Sequence, residues 1–321
     1  MKHPRLRLCL IAVCAIGLHW LGTLHAAAPK PPSSDTKTKS AAAPAPAVKP
    51  AATNVYLRFE KQAAADTLQV AITSFTHEKT GVKVDLIGVI HIGDRAYFEA
   101  LNKRFTQYDA VLFELVADPR DAQRPAAKPK GKEKPTHPIS LIQRFMQESL
   151  ALQFQLDIID YTKPNFVHAD MDPKTFAQRQ KARGESMFSL MWKMMQSEMG
   201  RQRAGQPSTE ISPLELMRAL LSPDRPLEMK RLLAGHMSEM EDTLSNLDGG
   251  DGTVIVNERN DLALKVLKKS MADGKKRLAI FYGAAHMPDM ERKLTADFGF
   301  RRTGHEWLTA WHLPKPAPKS K

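Results

Sequence analysis

The sequence predicts an α/β fold: a central mixed sheet with a mostly parallel core, flanked by helices and carrying a Met-rich helical insertion or lid. Three observations predict it. Apolar, β-branched runs alternate with helical patterns, the order that builds a parallel sheet. Two of those runs, residues 84–91 and 277–286, share one plan in which a strand-like stretch closes on Gly-x-x-His. Residues 174–247 are helical in pattern, rich in Met and poor in strand formers, as expected of a segment packed on such a core.

The chain opens with Lys2, Arg5 and Arg7, an apolar run over 8–24, and the small residues Ala26, Ala27 and Ala28. That is the pattern of a secretory signal peptide, here 1–26, and it predicts a periplasmic or secreted protein. An uncleaved membrane anchor is the alternative, because the apolar run sits at the lower limit for a span. Cys9 and Cys14 both lie in this segment, so the mature chain has no thiol for disulfides or metal ligation. Residues 27–53 are Ala, Pro, Lys and Ser without apolar periodicity, a flexible linker. The folded domain is expected over 54–313, with 174–247 as its helical insertion and 314–321 as a basic tail.

Within the domain, residues 55–59 and 68–75 have strand character, and 77–81 form a turn into the strand 84–91. Asp94 is placed to cap a helix over 95–107 with Phe98, Leu101 and Phe105 on one face. A short buried strand follows at 110–115, then a Pro- and Lys-rich loop over 119–138, an amphipathic helix over 140–155 and a strand at 165–171. After the insertion, Asp248-Gly249-Gly250-Asp251-Gly252 is a turn, since its spacing is not that of an EF-hand calcium loop. A helix over 257–271 leads to the second Gly-x-x-His strand. Pro288 and Asp289 start another helix, where Pro and acids are favoured. Residues 305–312 form a terminal strand that places Trp307 and Trp311 on one face.

The formal net charge is +12. The signal segment, the linker, the tail and the stretch 118–137 each carry an excess of three basic residues, which leaves the rest of the core neutral. The basicity therefore sits on tethers and one loop, and nucleic acid is not an expected partner. Loose attraction of the tails to an anionic surface is the modest alternative.

Ligands of parallel sheets bind beyond the carboxyl ends of the strands. His91, Glu114 and His286 all fall at predicted strand C-termini, and Asp170 lies close to one. With 17 Gly and 11 His in 321 residues, roughly 0.6 chance Gly-x-x-His matches are expected, so the pair informs where one copy does not. Gly22-Thr23-Leu24-His25 is such a chance match. Two imidazoles and a carboxylate can hold a divalent metal (Mn, Co, Fe or Zn) with open positions for water and substrate. The same residues can also work without metal, one histidine as general base, Glu114 orienting it and the second histidine as acid. Gly88 and Gly283, three residues before each histidine, would let another backbone or a substrate approach closely. The bland reading is two satisfied core histidines, a solvated Glu114 at a strand end, a surface Arg259 and a wet-face His168. Met187, Met191, Met194, Met195 and Met199 recur at helical spacing. They could ligate copper(I), but such a stripe is more often an adaptable apolar face.

Gly88-Val89-Ile90-His91-Ile92-Gly93, Val111-Leu112-Phe113-Glu114-Leu115, Glu258-Arg259-Asn260 and Gly283-Ala284-Ala285-His286 together resemble the motifs of the Tiki/TraB/GumN-type family. Their order and spacing fit across residues 84–299, outside the Met-rich middle. The resemblance implies an α/β fold shared with erythromycin-esterase-like and haem-binding ChaN-like proteins, and the divalent-metal-dependent proteolysis described for animal members. It would make His91, Glu114 and His286 metal or catalytic residues, with Arg259 pairing a carboxylate or binding a substrate oxyanion. Asp170 joins this set by position alone. The expected function is an exported metal-dependent hydrolase acting on a peptide or small-molecule amide or ester. The alternative is a binding protein on the same scaffold that sequesters a peptide or a haem.

Overall fold

The computed structural model describes residues 56–123, 150, 152–185, 211–246 and 253–315, together with 189, 192, 196, 199 and 200. Their strands are β1 (Leu57–Lys61), β2 (Ala65–His77), β3 (Lys83–Val89), β4 (Ile92–Gly93), β5 (Ala110–Phe113), β6 (Gln153–Phe154), β7 (Phe166–His168), β8 (Arg277–Gly283) and β9 (Phe300–Pro314). Their helices are α1 (Arg95–Phe105), α2 (Gln155–Ile158), α3 (Pro173–Ala182), α4 (Pro213–Leu221), α5 (Arg225–Asn246), α6 (Arg259–Ala272) and α7 (Met287–Ala296). The signal segment, the linker, the loop beyond Gln123, most of the 140–155 helix, the 248–252 turn and the basic tail lie outside the described residues. So do Met187, Met191, Met194 and Met195; only Met199 of that stripe is described, as helical. Among the described residues, no helix is long and apolar enough to cross a membrane.

The seven-stranded sheet runs β1-β2-β3-β8-β5-β7, with β9 on the other edge of β2. It is mixed, as expected. β3, β8, β5 and β7 pair in parallel, while β1, β2 and β9 are antiparallel. A parallel strand covered on both faces is apolar throughout, and Ala110, Val111, Leu112 and Phe113 are all buried. The same holds from Leu278 to Gly283. Helix α1 lies where its periodicity put it, with Tyr97, Phe98, Leu101 and Phe105 buried.

The register aligns the functional ends. Val89 pairs with Gly283 and Phe113 with Phe281, so β3, β8 and β5 finish side by side. His91, Glu114 and His286 sit just past those ends rather than on them. His91 lies two residues beyond β3, Glu114 one beyond β5, and His286 closes a 3-10 turn (Ala284–His286) after β8. The strands stop short because each must turn away from the ladder before its polar residue can face the site.

Four further expectations are corrected. The end of the predicted 140–155 helix is extended instead: Gln153 and Phe154 pair with Gly93 and Ile92 across the β4–β6 ladder. Asp94 stands at the helix start, but its carboxylate does not cap. Oδ1 accepts from Lys230 Nζ at 3.0 Å and Oδ2 from the His312 backbone at 2.7 Å, which ties α5 and β9 to the His91 loop. Helix α6 begins after a π-helical turn, Val254–Glu258, rather than at Asn257. Trp307 and Trp311 face opposite sides of the sheet. Trp311 pairs with Leu68 and Thr309 with Gln69, so Ala310 is bulged and the alternation inverts between the two rings. Trp311 is buried and donates to the Ile92 carbonyl at 2.7 Å, whereas Trp307 lies under the Arg58 guanidinium.

Candidate functional site

A buried guanidinium organises the site. Arg259 opens α6, and its Nε and Nη2 grip both oxygens of Asp170 at 2.8 and 2.6 Å. Nη2 also donates to Glu114 Oε1 at 2.7 Å. Nη1 donates to the Ile255 carbonyl at 3.4 Å. Nη1 carries two hydrogens, and one of them has no partner among the described residues. The three side chains come from three separate segments and are 8, 0 and 11% exposed in the order Arg259, Asp170, Glu114.

Glu114 Oε2 accepts from the Gly283 backbone N–H at 2.6 Å, so both carboxylate oxygens are engaged. Burial opposes its charge, but the Arg259 guanidinium and the Gly283 N–H hold the carboxyl well below the usual carboxylate range. Burial likewise works against the Arg259 charge, and Glu114 and Asp170 more than offset it, so the guanidinium stays protonated.

The two histidines are held by side-chain amides. His286 Nδ1 lies 2.7 Å from Asn260 Oδ1. Asn260 Nδ2 donates to the His286 carbonyl at 3.1 Å and to Asp289 Oδ2 at 2.9 Å, which fixes the sense of the amide. His286 Nδ1 is therefore the donor, and its Nε2 lone pair lies 3.6 Å from Glu114 Oε1. His91 Nδ1 lies 2.8 Å from Gln155 Oε1, while its Nε2 makes no hydrogen bond among the described residues. The sequence brought His91, Glu114, Asp170, Arg259 and His286 to notice, and the fold gathers all five. It did not mark Gln155, and Asn260 entered only as part of a motif. No local signal marks Gln155, because its contact with His91 depends on the β4–β6 pairing.

The two glycines play different parts. A Cβ on Gly283 would stand 3.4 Å from Glu114 Oε2, 3.6 Å from His286 Cδ2 and 3.8 Å from His91 Nε2, so its Cα faces the point where those groups converge. A Cβ on Gly88 would instead meet the Ala71 carbonyl at 3.4 Å and Ala284 at 3.5 Å, so this glycine serves the packing of β3 and touches none of the site's side chains. His168 is not a wet-face residue as expected: it is half-buried, packs on Phe113 and bonds the Leu115 carbonyl at 2.6 Å.

Burial pushes the His286 imidazole down to about 4 from 6.5; Glu114 pulls the other way and Arg259 adds to the lowering. At neutral pH this ring is an uncharged acceptor. Between 6.5 and about 4 the unfolded chain takes up a proton at this position that the folded chain refuses. Stability therefore falls as pH drops through that window, by on the order of 3 kcal/mol from this residue. Below about 4.3 the depressed Glu114 carboxyl adds a second loss, since its folded form stays ionised while the unfolded one protonates. Thermal midpoints measured from pH 7 to pH 4 should fall, and fall less steeply in His286→Gln. Equal slopes in the two proteins would contradict the assignment.

The imidazoles suit a divalent cation, but Glu114 as placed does not. Its two oxygens already accept from Arg259 and Gly283, and a cation on Oε1 would stand against a guanidinium. Among the described residues no group of three His, Cys, Asp or Glu side chains is arranged to hold a metal ion.

Compared with protein-family models, curated proteins and solved structures, the chain matches none.

Proposed function

We propose that the chain is an exported, TraB/GumN-like hydrolase that cleaves an amide or ester bond of a peptide or small molecule at the His91–Glu114–Arg259–His286 cluster. One observation carries this reading: two imidazoles have tethered Nδ1 atoms, with His286 Nε2 3.6 Å from Glu114 Oε1 and His91 Nε2 beside the Gly283 Cα that Glu114 Oε2 also faces. A water donating to both Nε2 atoms would have an oxygen lone pair free to attack a carbonyl carbon. His91 is half-buried, whereas His286 is only 5% exposed. His91 Nε2 would therefore take the water proton as the carbon–oxygen bond forms, then return it to the leaving nitrogen or oxygen. The Nη1 hydrogen of Arg259 left unpaired among the described residues suits the developing oxyanion, and the guanidinium is held in place in advance by Asp170. Glu114 holds Arg259 and the Gly283 backbone in register; its depressed carboxyl is a fixed negative charge rather than a proton carrier.

A metal-dependent form of the same hydrolase is the second reading, favoured by the two converging Nε2 atoms. It requires Glu114 to release Arg259 or Gly283 as the cation enters. A haem-sequestering protein would need the histidines but neither Glu114 nor Arg259.

Gly283→Ala tests the reading. Gly283 has ordinary backbone angles, φ −49° and ψ 141°, and the added methyl would make only van der Waals contacts. The fold should tolerate it, with a thermal midpoint close to wild type. The methyl occupies the space between Glu114, His286 and His91, so hydrolysis should fall at least about 100-fold. Unchanged turnover in a normally folded variant would sink the proposed position of the reacting water.

A further inference from the structure

We propose that Gln155 is a positioning residue for His91, with Tyr161 behind it, and that the pair holds the His91 ring as the Nδ1–H tautomer. The proposal deepens the hydrolase reading, which uses the Nε2 lone pair, but its readout does not depend on turnover.

Gln155 reaches His91 through the backbone. The pairing of Phe154 with Ile92 brings Gln155 beside His91, and the Gln155 N–H donates to the His91 carbonyl at 2.9 Å. The side chains close the second link, His91 Nδ1 to Gln155 Oε1 at 2.8 Å. Gln155 is 5% exposed, so each end of its amide must find a protein partner. Nε2 finds the Tyr161 hydroxyl at 2.6 Å. Tyr161 cannot move away easily, since its ring packs on Phe113 and Phe166 at centroid distances of 5.0 and 5.6 Å.

An amide has two senses, and the choice decides which His91 nitrogen is basic. With its nitrogen on Tyr161, Gln155 offers an oxygen to His91, Nδ1 must donate, and Nε2 is left as a lone pair. With the amide reversed, the ring proton would move to Nε2, which has no acceptor within reach among the described residues. Glu114 could not readily serve, because its oxygens already accept from Arg259 and Gly283. Asn260 does the same for His286 more firmly, because Asp289 and the His286 carbonyl can only accept, whereas the Tyr161 hydroxyl can donate or accept and the unpaired Nε2–H of the reversed sense decides for Gln155. The site thus sets the sense of both rings through neutral amides, which add no charge that would bias the imidazoles toward protonation.

The test is nitrogen NMR of the full chain labelled with 15N-histidine, at a pH where the His91 ring is neutral. The His91 signals are those lost in His91→Asn. The expected wild-type pattern is a protonated, pyrrole-type Nδ1 and an unprotonated, pyridine-type Nε2. Gln155→Leu should lose that separation and bring the two shifts toward a common averaged value. Gln155→Glu, which restores an acceptor, should recover a protonated Nδ1. Tyr161→Phe should average the shifts in part, and it carries the test if Gln155→Leu does not fold. A wild-type His91 protonated at Nε2, or shifts unmoved in Gln155→Leu and Tyr161→Phe, would overturn the proposal. A protein with the expected pattern that hydrolyses nothing would overturn the hydrolase reading and leave this one standing.

Discussion

Arg259→Met should destabilise the protein by about 3–5 kcal/mol, the cost of removing one partner from a buried ion cluster. The reason lies in what remains. Asp170 is fully buried and loses both of its Arg259 bonds, and Glu114 loses the cation that keeps it ionised. Methionine fills much of the volume but donates nothing. Arg259→Lys keeps the charge and should still lose most of that stability, because one ammonium cannot reproduce the fork that meets Asp170 and Glu114 together. Denaturant unfolding of the three proteins at pH 7 checks this. A lysine variant as stable as wild type would mean that charge alone holds the cluster. Any hydrolysis should vanish in both variants, since each removes the Nη1 donor.

The second large effect is expected on rate rather than stability. His91→Ala should lower turnover by about 100- to 10,000-fold, the usual contribution of a positioned general base. His91 is half-buried, its side chain bonds only Gln155 among the described residues, and the backbone bond to Gln155 is kept, so the fold should survive its truncation. His286→Ala should cost as much in rate and more in stability, because His286 is 5% exposed and its loss leaves Asn260 Oδ1 without the imidazole donor. The double variant should be no worse than the poorer single one if both rings hold the same water. Additive losses would indicate separate roles.

Much of this site could be read from the chain because parallel strands buried on both faces leave a strong imprint. The runs ending near His91 and His286 stand out as apolar, and Ala110–Phe113 is all apolar because both its faces are covered. A polar residue directly after such a run has few places to go except the sheet's edge, which is why Glu114 was conspicuous. Asp170 was conspicuous for the same reason only in part, and Arg259 only through the resemblance of Glu258-Arg259-Asn260 to a family motif; neither has a neighbour in sequence that announces its partner.

What could not be read depends on contacts between distant segments. Gln155 lies 64 residues from His91, in a stretch whose spacing resembles a helix, and pairing with β4 overrides that local pattern. The Ala310 bulge shifts alternation by one residue, so period-two reasoning placed Trp307 beside Trp311 when the two face apart. Asp94 has the residue type and position of a helix cap, yet Lys230 and the His312 backbone claim it. Residue types likewise do not show that Arg259 and Gly283 both bond Glu114.

The most direct measurement is turnover of peptide and ester libraries by the full chain and by the His91→Ala/His286→Ala variant, with and without a chelator, beside elemental analysis of both proteins. The account predicts cleavage by the wild type that survives chelation, is lost in the variant, and is accompanied by no stoichiometric metal. Cleavage that chelation abolishes, with metal present in the wild type and absent from the variant, would contradict the metal-free chemistry and favour the cation-bound form. Equal activity in both proteins would contradict the site itself.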